Sequence, residues 1–351
     1  MARTTTTTST LAPINSYINR KGLSVAQPLC VHANYGEAFT IPAKNSKTMV
    51  FRRYERIAPL DGSVTPGGTS PSRVLVEGTV PDNTVPTITP VTITTAQLGQ
   101  YFQYSDMAEW INEVDVDENL MKRNGENMAQ TLDAYYREGI IAGTNAAYLL
   151  DDAGATTSGQ TLVNGRLNSV ALTKVIRDLE NANATTFKPM VKGSDVIGSL
   201  PVRPAFIGIT NPEGRFDLDN VVTIANGYTP VERYGHVDDL LPGEVGSFRS
   251  IRFVSTTQCK NFGGVGAVTP ATGLKVTSTR TEVHACLVIG KESYATVKLG
   301  PNSGEVIYIP ASQRDKSDPL GQYTTLGWKA TCGSGILNDA WIKRIEHGVS
   351  A

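Results

Sequence analysis

The sequence predicts a mixed α+β fold. Short runs alternate apolar and polar residues as strands do, two stretches carry helical spacing, and the chain is rich in turn formers while charged residues make up only 19%. Its 351 residues correspond to about two domains at ~150 residues each, ample for a real core. With 33 Gly and 19 Pro, many extended segments and large contact surfaces are expected. Lys plus Arg is 32 and Asp plus Glu is 33, a formal charge of −1, so no basic excess drives counterion release and any contact with DNA is expected to be non-specific.

From Met1 to Asn45 the chain is polar, Thr-rich and broken by Pro13, Pro28 and Pro42, so it reads as an arm. The Thr4 to Thr8 region lacks a signal-peptide pattern, and no apolar run reaches the ~18 residues of a membrane span, so a soluble chain made in a cytosol is expected. Ser46 to Gln100 alternates at both ends, Met49 and Phe51 against Val50 and Arg52, then Val91 and Ile93 against Thr92 and Thr94. Two strands joined through Pro66, Gly67, Gly68, Pro71 and Gly78 make a long ribbon with nothing of its own to pack against. An isolated two-stranded ribbon is marginal in water, so order there requires a partner surface.

Asp117 to Ala142 predicts a helix of about 39 Å at 1.5 Å per residue, with Asp115, Asp117 and Glu118 complementing the dipole at its start. One stripe runs through Met121, Gly125, Met128, Leu132, Tyr135, Gly139, Ala142, Ala146 and Leu149, and its small residues invite close backbone approach. A second helix is expected after Asn168 or Ser169, with Leu172, Val175, Ile176 and Leu179 on one face. Ala205–Thr210, Ile251–Thr256, Glu282–Ile289 and Glu305–Ile309 read as strands, and Ile336–His347 as a closing strand with distant partners.

Catalytic and metal motifs are incomplete. Asp115, Asp117, Asn119 and Glu126 copy calcium-loop spacing, but Leu120 stands where the turn needs Gly, so they read as an acidic helix start. His284 and Cys286 face one way on a strand and lack a second ligand pair, which makes a buried histidine beside a small apolar thiol the simpler reading. Cys332 spoils a GxSxG elbow around Ser334, and Gly263, Gly264 and Gly266 lack the residues of a phosphate cradle and read as a mobile loop. Cys30, Cys259, Cys286 and Cys332 have neither disulfide-framework nor metal-knuckle spacing and are expected to be reduced. No cofactor is expected. Arg52, Arg53 and Arg56 on the ribbon's first strand are too few for a nucleic-acid stripe; they either clamp acidic groups of a neighbouring molecule or form a solvated face.

Three stretches carry a resemblance: Gln97-Leu98-Gly99-Gln100-Tyr101 through Ser105-Asp106; Leu241-Pro242-Gly243-Glu244-Val245-Gly246 with Ile251-Arg252-Phe253-Val254; and Asp318-Pro319-Leu320-Gly321-Gln322, Gly327-Trp328-Lys329-Ala330 and Ile336-Leu337-Asn338-Asp339-Ala340. Over about Ser46 to Glu346 the chain resembles the major capsid proteins of tailed bacteriophages of the Hong Kong 97 fold, within the family of short-tailed phages that carry a virion RNA polymerase. The resemblance implies an N-terminal arm (1–45), an extended loop or β-ribbon (46–100), a peripheral domain (101–164 and 311–351) with a spine helix (117–142), and an axial domain (165–310). It also implies a structural protein, not an enzyme, that self-assembles as hexamers and pentamers into an icosahedral shell around double-stranded DNA. A separate scaffold protein, a portal and a decoration protein are the implied partners, with assembly in the host bacterial cytoplasm and residence in the virion. In that setting Arg52, Arg53 or Arg56 is expected to meet Glu113, Asp115, Asp117 or Glu118 of an adjacent subunit. Other readings are a tail or decoration component, and a hydrolase using sequence-distant carboxylates.

Overall fold

The computed structural model describes residues 30–57, 77–78, 80, 85–111, 116–187, 204–234, 240–300, 304–313 and 318–351. Most of the expected arm and the middle of the ribbon lie outside these residues. Two compact units emerge: a smaller one holding Leu98–Ala129 and Gly304–Ala330, and a larger one holding Gln130–Ser303, Thr331–Ala351 and the residues before Leu98 from Pro28 on.

In chain order the strands are β1 (Glu37–Ile41), β2 (Thr48–Tyr54), β3 (Ile88–Thr94) and β4 (Ala96–Ser105), followed by helices α1 (Asp106–Ile111) and α2 (Val116–Ile141). Then come β5 (Ala146–Leu149), β6 (Thr156–Thr157), α3 (Ser169–Asn181), β7 (Phe206–Thr210), α4 (Pro212–Asp217), β8 (Tyr228–Pro230), β9 (Glu244–Phe248), β10 (Ile251–Ser255) and β11 (Asn261–Gly263). The chain closes with β12 (Val276–Thr277), β13 (Arg280–Thr281), β14 (Val283–Ile289), β15 (Tyr294–Leu299), β16 (Glu305–Ile309), β17 (Tyr323–Ile336) and β18 (Ile342–Gly348).

The larger unit is organised by a nine-stranded sheet in the order β6-β5-β18-β14-β7-β10-β9-β8, with β11 also on β14. Its central strands β7 and β14 are buried at every residue, as continuous apolar runs in covered sheets are. Helix α3 lays Leu172, Val175, Ile176 and Leu179 against Leu149, Phe206, Phe248 and Ile345. Its cap is Asn168, whose side chain accepts from the Ala171 N–H at 2.9 Å. Asn168→Ala is expected to cost about 1 kcal/mol, read as a lower urea midpoint at unchanged slope.

In the same unit β1 pairs in parallel with β15, and β15 pairs antiparallel with the Cys332–Ile336 end of β17. Glu37–Ile41, within the stretch read as an arm, is therefore sheet, a run too short to stand out in the sequence. In the smaller unit β16 pairs antiparallel with Thr325–Lys329, and β4 also joins β17. The Trp328 indole donates to Asn127 Oδ1 at 2.9 Å, and both Asp318 oxygens accept backbone N–H groups from Gly321 to Tyr323.

Helix α2 spans nearly the predicted residues, but Asn124 is buried one residue before the predicted Gly125, and in the second half Asp133, Tyr136 and Ile140 are buried one residue beyond the predicted Leu132, Tyr135 and Gly139. Close backbone approach does occur at Gly139, where a Cβ would stand 2.4 Å from Ser334 Oγ. The stripe does not continue: Ala146 to Leu149 is strand β5, and the Arg344 guanidinium donates to the Ile141 and Gly143 carbonyls, terminating the helix. The closing strand is likewise split, with a 3₁₀ turn at Asp339–Trp341 between β17 and β18. Of the glycine cluster, Gly264 and Gly266 are packed while Gly263 borders open space: a Cβ at Gly264 would clash with the Thr277 carbonyl, and the Gly266 N–H donates to the Thr281 carbonyl at 3.0 Å.

Candidate functional site

The base of the ribbon is the antiparallel pair β2–β3, in register from Thr48↔Thr94 to Tyr54↔Ile88. Period-two alternation gives it two unlike faces. Met49, Phe51 and Ile93 point inward to a small core with Ile41, Ala295 and Val297, and the Phe39 and Phe51 rings meet edge-on at 4.9 Å. This corrects the expectation that the ribbon has nothing of its own to pack against: its base is seated on its own body, because the inner face is apolar where β1 and β15 offer apolar partners.

Arg53 shares that inner face and is engaged within the chain. Its guanidinium pairs with Glu55 at 2.7 Å and donates to the Leu337 carbonyl at 3.0 Å. Thr89 Oγ1 donates to Glu55 at 2.7 Å; this bond, then those from Arg53, hold the Glu55 carboxyl below the ordinary carboxylate range. Arg53 is thus a brace across the ribbon base. Arg52 and Arg56 stand on the outer side, both exposed. Glu113 and Asp115 lie outside the described residues, and Asp117 and Glu118 fall in the first turn of α2.

Sequence reasoning missed the apolar members of the outer face. Val50, Tyr54, Ile57 and Ile88 are exposed there, Tyr54 to 72% of its surface. The signal was present in the alternation Val50-Phe51-Arg52-Arg53-Tyr54, whose outward residues are as apolar as its inward ones. Beside them opens a groove of about 720 Å³ bordered by Phe51 through Arg56, that is by both faces of β2 and hence by its unpaired backbone edge, with Leu337 and Trp341 opposite.

The smaller unit has an exposed apolar set of its own. Trp110 and Ile111 at the end of α1 are 74% and 75% exposed, and Tyr101, Met107 and Leu320 are also largely in solvent. Large apolar side chains grouped in this way mark contact surfaces. Among the described residues no group of three or more His, Cys, Asp or Glu side chains is placed to hold a metal ion, and the four cysteines are free thiols.

No protein-family profile and no curated protein matches the chain. Solved structures do. The capsid of cyanophage P-SCSP1u is 17% identical with a TM-score of 0.60, covering 96% of this chain and 94% of that one. The cyanophage Pam1 capsid is 10% identical at a TM-score of 0.63 with 98% of each chain covered, and the capsid of Ralstonia phage GP4 is 11% identical at 0.61 with 99% of each. At such identities the likeness speaks for the fold, and over nearly its whole length this chain has the α+β capsid fold of the Hong Kong 97 type.

Proposed function

We propose that this chain is the major capsid protein of a tailed bacteriophage, a structural protein that tiles an icosahedral shell around double-stranded DNA. The observation that carries the reading is the exposed outer face of the ribbon base, Val50, Arg52, Tyr54 and Arg56, on a capsid fold. In this reading the ribbon is the extended loop, α2 the spine helix of the peripheral domain, and residues 165–310 largely the axial domain. The sequence likeness to short-tailed phages with a virion RNA polymerase supports placing it among them. A scaffold protein, a portal and a decoration protein complete the partners, with assembly in the bacterial cytoplasm.

Charge supports a second copy as the ribbon's neighbour. Lys47, Arg52, Arg53 and Arg56 face one acid, Glu55, within the ribbon base, whereas Asp106 to Glu118 holds six carboxylates and no base. With Arg53 committed to Glu55, Arg52 and Arg56 are the residues to meet Glu113, Asp115, Asp117 or Glu118 of an adjacent subunit. An exposed pair gives about 0–1 kcal/mol, while an interface of about 1,600 Å² at ~25 cal/mol per Å² gives far more, so burial of Val50, Tyr54 and Ile88 supplies the affinity and the arginines set register.

Electron microscopy of the purified chain, alone and with its scaffold, tests this. Closed icosahedral bodies are the expected result; tubes or small rings indicate a tail component, and a monomer under all conditions overturns the reading. Arg52→Glu with Arg56→Glu is expected to lower the yield of closed bodies about tenfold or more, since like charges then face each other at every copy of the contact. An unchanged yield removes the register role.

A further inference from the structure

The nine-stranded sheet of the larger unit holds two buried histidines. In the antiparallel pairing of β14 with β18, His284 stands directly opposite His347. Both are buried, His347 completely. Their hydrogen bonds fix each ring in a neutral form. The Asn211 side-chain oxygen is taken by the Gly214 N–H at 2.9 Å, so its amide NH₂ is what meets His284 Nδ1, which must therefore accept. His284 Nε2 then carries the proton, toward Glu282 Oε1 at 3.1 Å. His347 Nδ1 donates to the Gly348 carbonyl at 2.8 Å, leaving a bare Nε2 buried without a partner among the described residues. A proton added to His284 would set two donors face to face, and one added to His347 would make a buried cation whose Nε2–H has no acceptor among the described residues.

We propose that the facing His284–His347 pair is an acid release for the C-terminal strand: proton uptake there frees β18 and the residues after it while the rest of the sheet stays folded. This goes beyond the shell function and does not depend on it. Strand β18 is the element that can leave, since on its far side it pairs with β5 over only Arg344 to Glu346. Its tail is held by few bonds: Gly348 N–H to Gly165, Lys275 N–H to Val349, Ala351 N–H to Gly273, and Ser350 Oγ to Asp217 at 2.6 Å.

The charged groups around the pair decide the direction. Glu282 faces His284, and Lys275 bridges Glu282 and Glu213. Asp217 lies on α4 with Arg166 acting on it, and Glu346 with its partner Arg344 precedes His347 on its own strand. Burial pushes His284 below the usual histidine value, and burial with the neighbouring His284 pushes His347 down to about 4. A folded value below the unfolded one means that the penalty is absent above about pH 6.5, grows as pH falls and is complete near pH 4. Asp217 runs the other way: burial raises it to about 6, so its protonation relieves the fold as pH falls through that value. The Asp217 gain therefore opposes the histidine penalty over nearly the same range, in the wild-type chain and in any histidine variant alike, so a loss that disappears with the histidines reports the pair.

Hydrogen exchange with mass spectrometry on the full chain, corrected for the intrinsic pH dependence of exchange, reads this out. Between about pH 6.5 and pH 4, protection of 342–351 is expected to fall about tenfold or more beyond that of 251–255. In His347→Gln and in His284→Gln that excess is expected to shrink to about twofold or less. An equal loss across the sheet in the wild-type chain, or a full excess in both variants, overturns the proposal. If neither variant folds, the wild-type comparison alone decides, with loss confined to 342–351 in support and even or absent loss against.

Discussion

Replacing Glu244 by Ala is expected to cost the chain about 3–5 kcal/mol of folding stability, the loss typical of stranding one member of a buried ion pair. Arg252 is 1% exposed in the middle of β10. Its Nε donates to Glu244 Oε1 at 2.7 Å and its Nη2 to Oε2 at 2.5 Å. The same carboxylate accepts the Leu241 N–H at 2.9 Å and the Tyr234 hydroxyl at 3.0 Å. One side chain therefore satisfies a buried cation, a turn N–H and a phenol. Removing it strips the buried guanidinium of the Glu244 carboxylate, whereas Glu244→Leu combined with Arg252→Met removes both charges and is expected to cost much less. Urea unfolding of the single and double variants checks the ordering; a single variant within about 1 kcal/mol of the parent shows that water reaches the guanidinium.

Asp133→Ala is expected to lose about 3 kcal/mol and to loosen the segment before β1. Asp133 is buried on α2 and receives the His32 backbone N–H and ring Nδ1, each at 2.8 Å. The His32 carbonyl in turn accepts the Tyr294 hydroxyl at 2.6 Å. Three groups far apart in sequence thus fix where residues 30–35 lie, and losing the carboxylate leaves a buried N–H without an acceptor. Asp133→Asn keeps one acceptor and is expected to cost about 1 kcal/mol. Thermal unfolding and the rate of proteolytic cutting before Glu37 measure the two effects.

Both predictions concern polar residues inside a fold whose apolar plan was largely legible beforehand. The β2 and β3 alternation, the extent of α2, the Asn168 cap with the Leu172, Val175, Ile176 and Leu179 face of α3, and β16 were all readable, because period and capping chemistry are local. The buried face of the second half of α2 was misplaced by one residue for a physical reason. An apolar stripe leaves out Asp133, which is buried only because His32 lies against it 101 residues away in sequence. Arg53 is a similar case. Alternation assigns it to the inner face of the ribbon, but its partner at Leu337 is 284 residues distant, so nothing nearby distinguishes a brace from a surface charge.

The candidate surface divides along the same line. That the ribbon carries a cationic cluster was written in Arg52, Arg53 and Arg56. Which of them faces outward, and that Val50, Tyr54 and Ile88 accompany them, followed from seating Phe51 and Ile93 on the body.

By itself the sequence determined the β2 and β3 ribbon strands, the extent of α2, α3 with its Asn168 cap, β16 and the near-neutral charge, since these depend on residues within a turn or two of one another or on composition alone. Tertiary structure alone decided the pairing of His284 with His347, the enclosure of Arg252 and the brace at Arg53. The histidine pairing and the brace depend on which distant backbone supplies the missing donor or acceptor, and chain closure over tens to hundreds of residues fixes that only when the sheets form; Arg252 has its counter-charge eight residues away, but is enclosed only by the strands that pack around it.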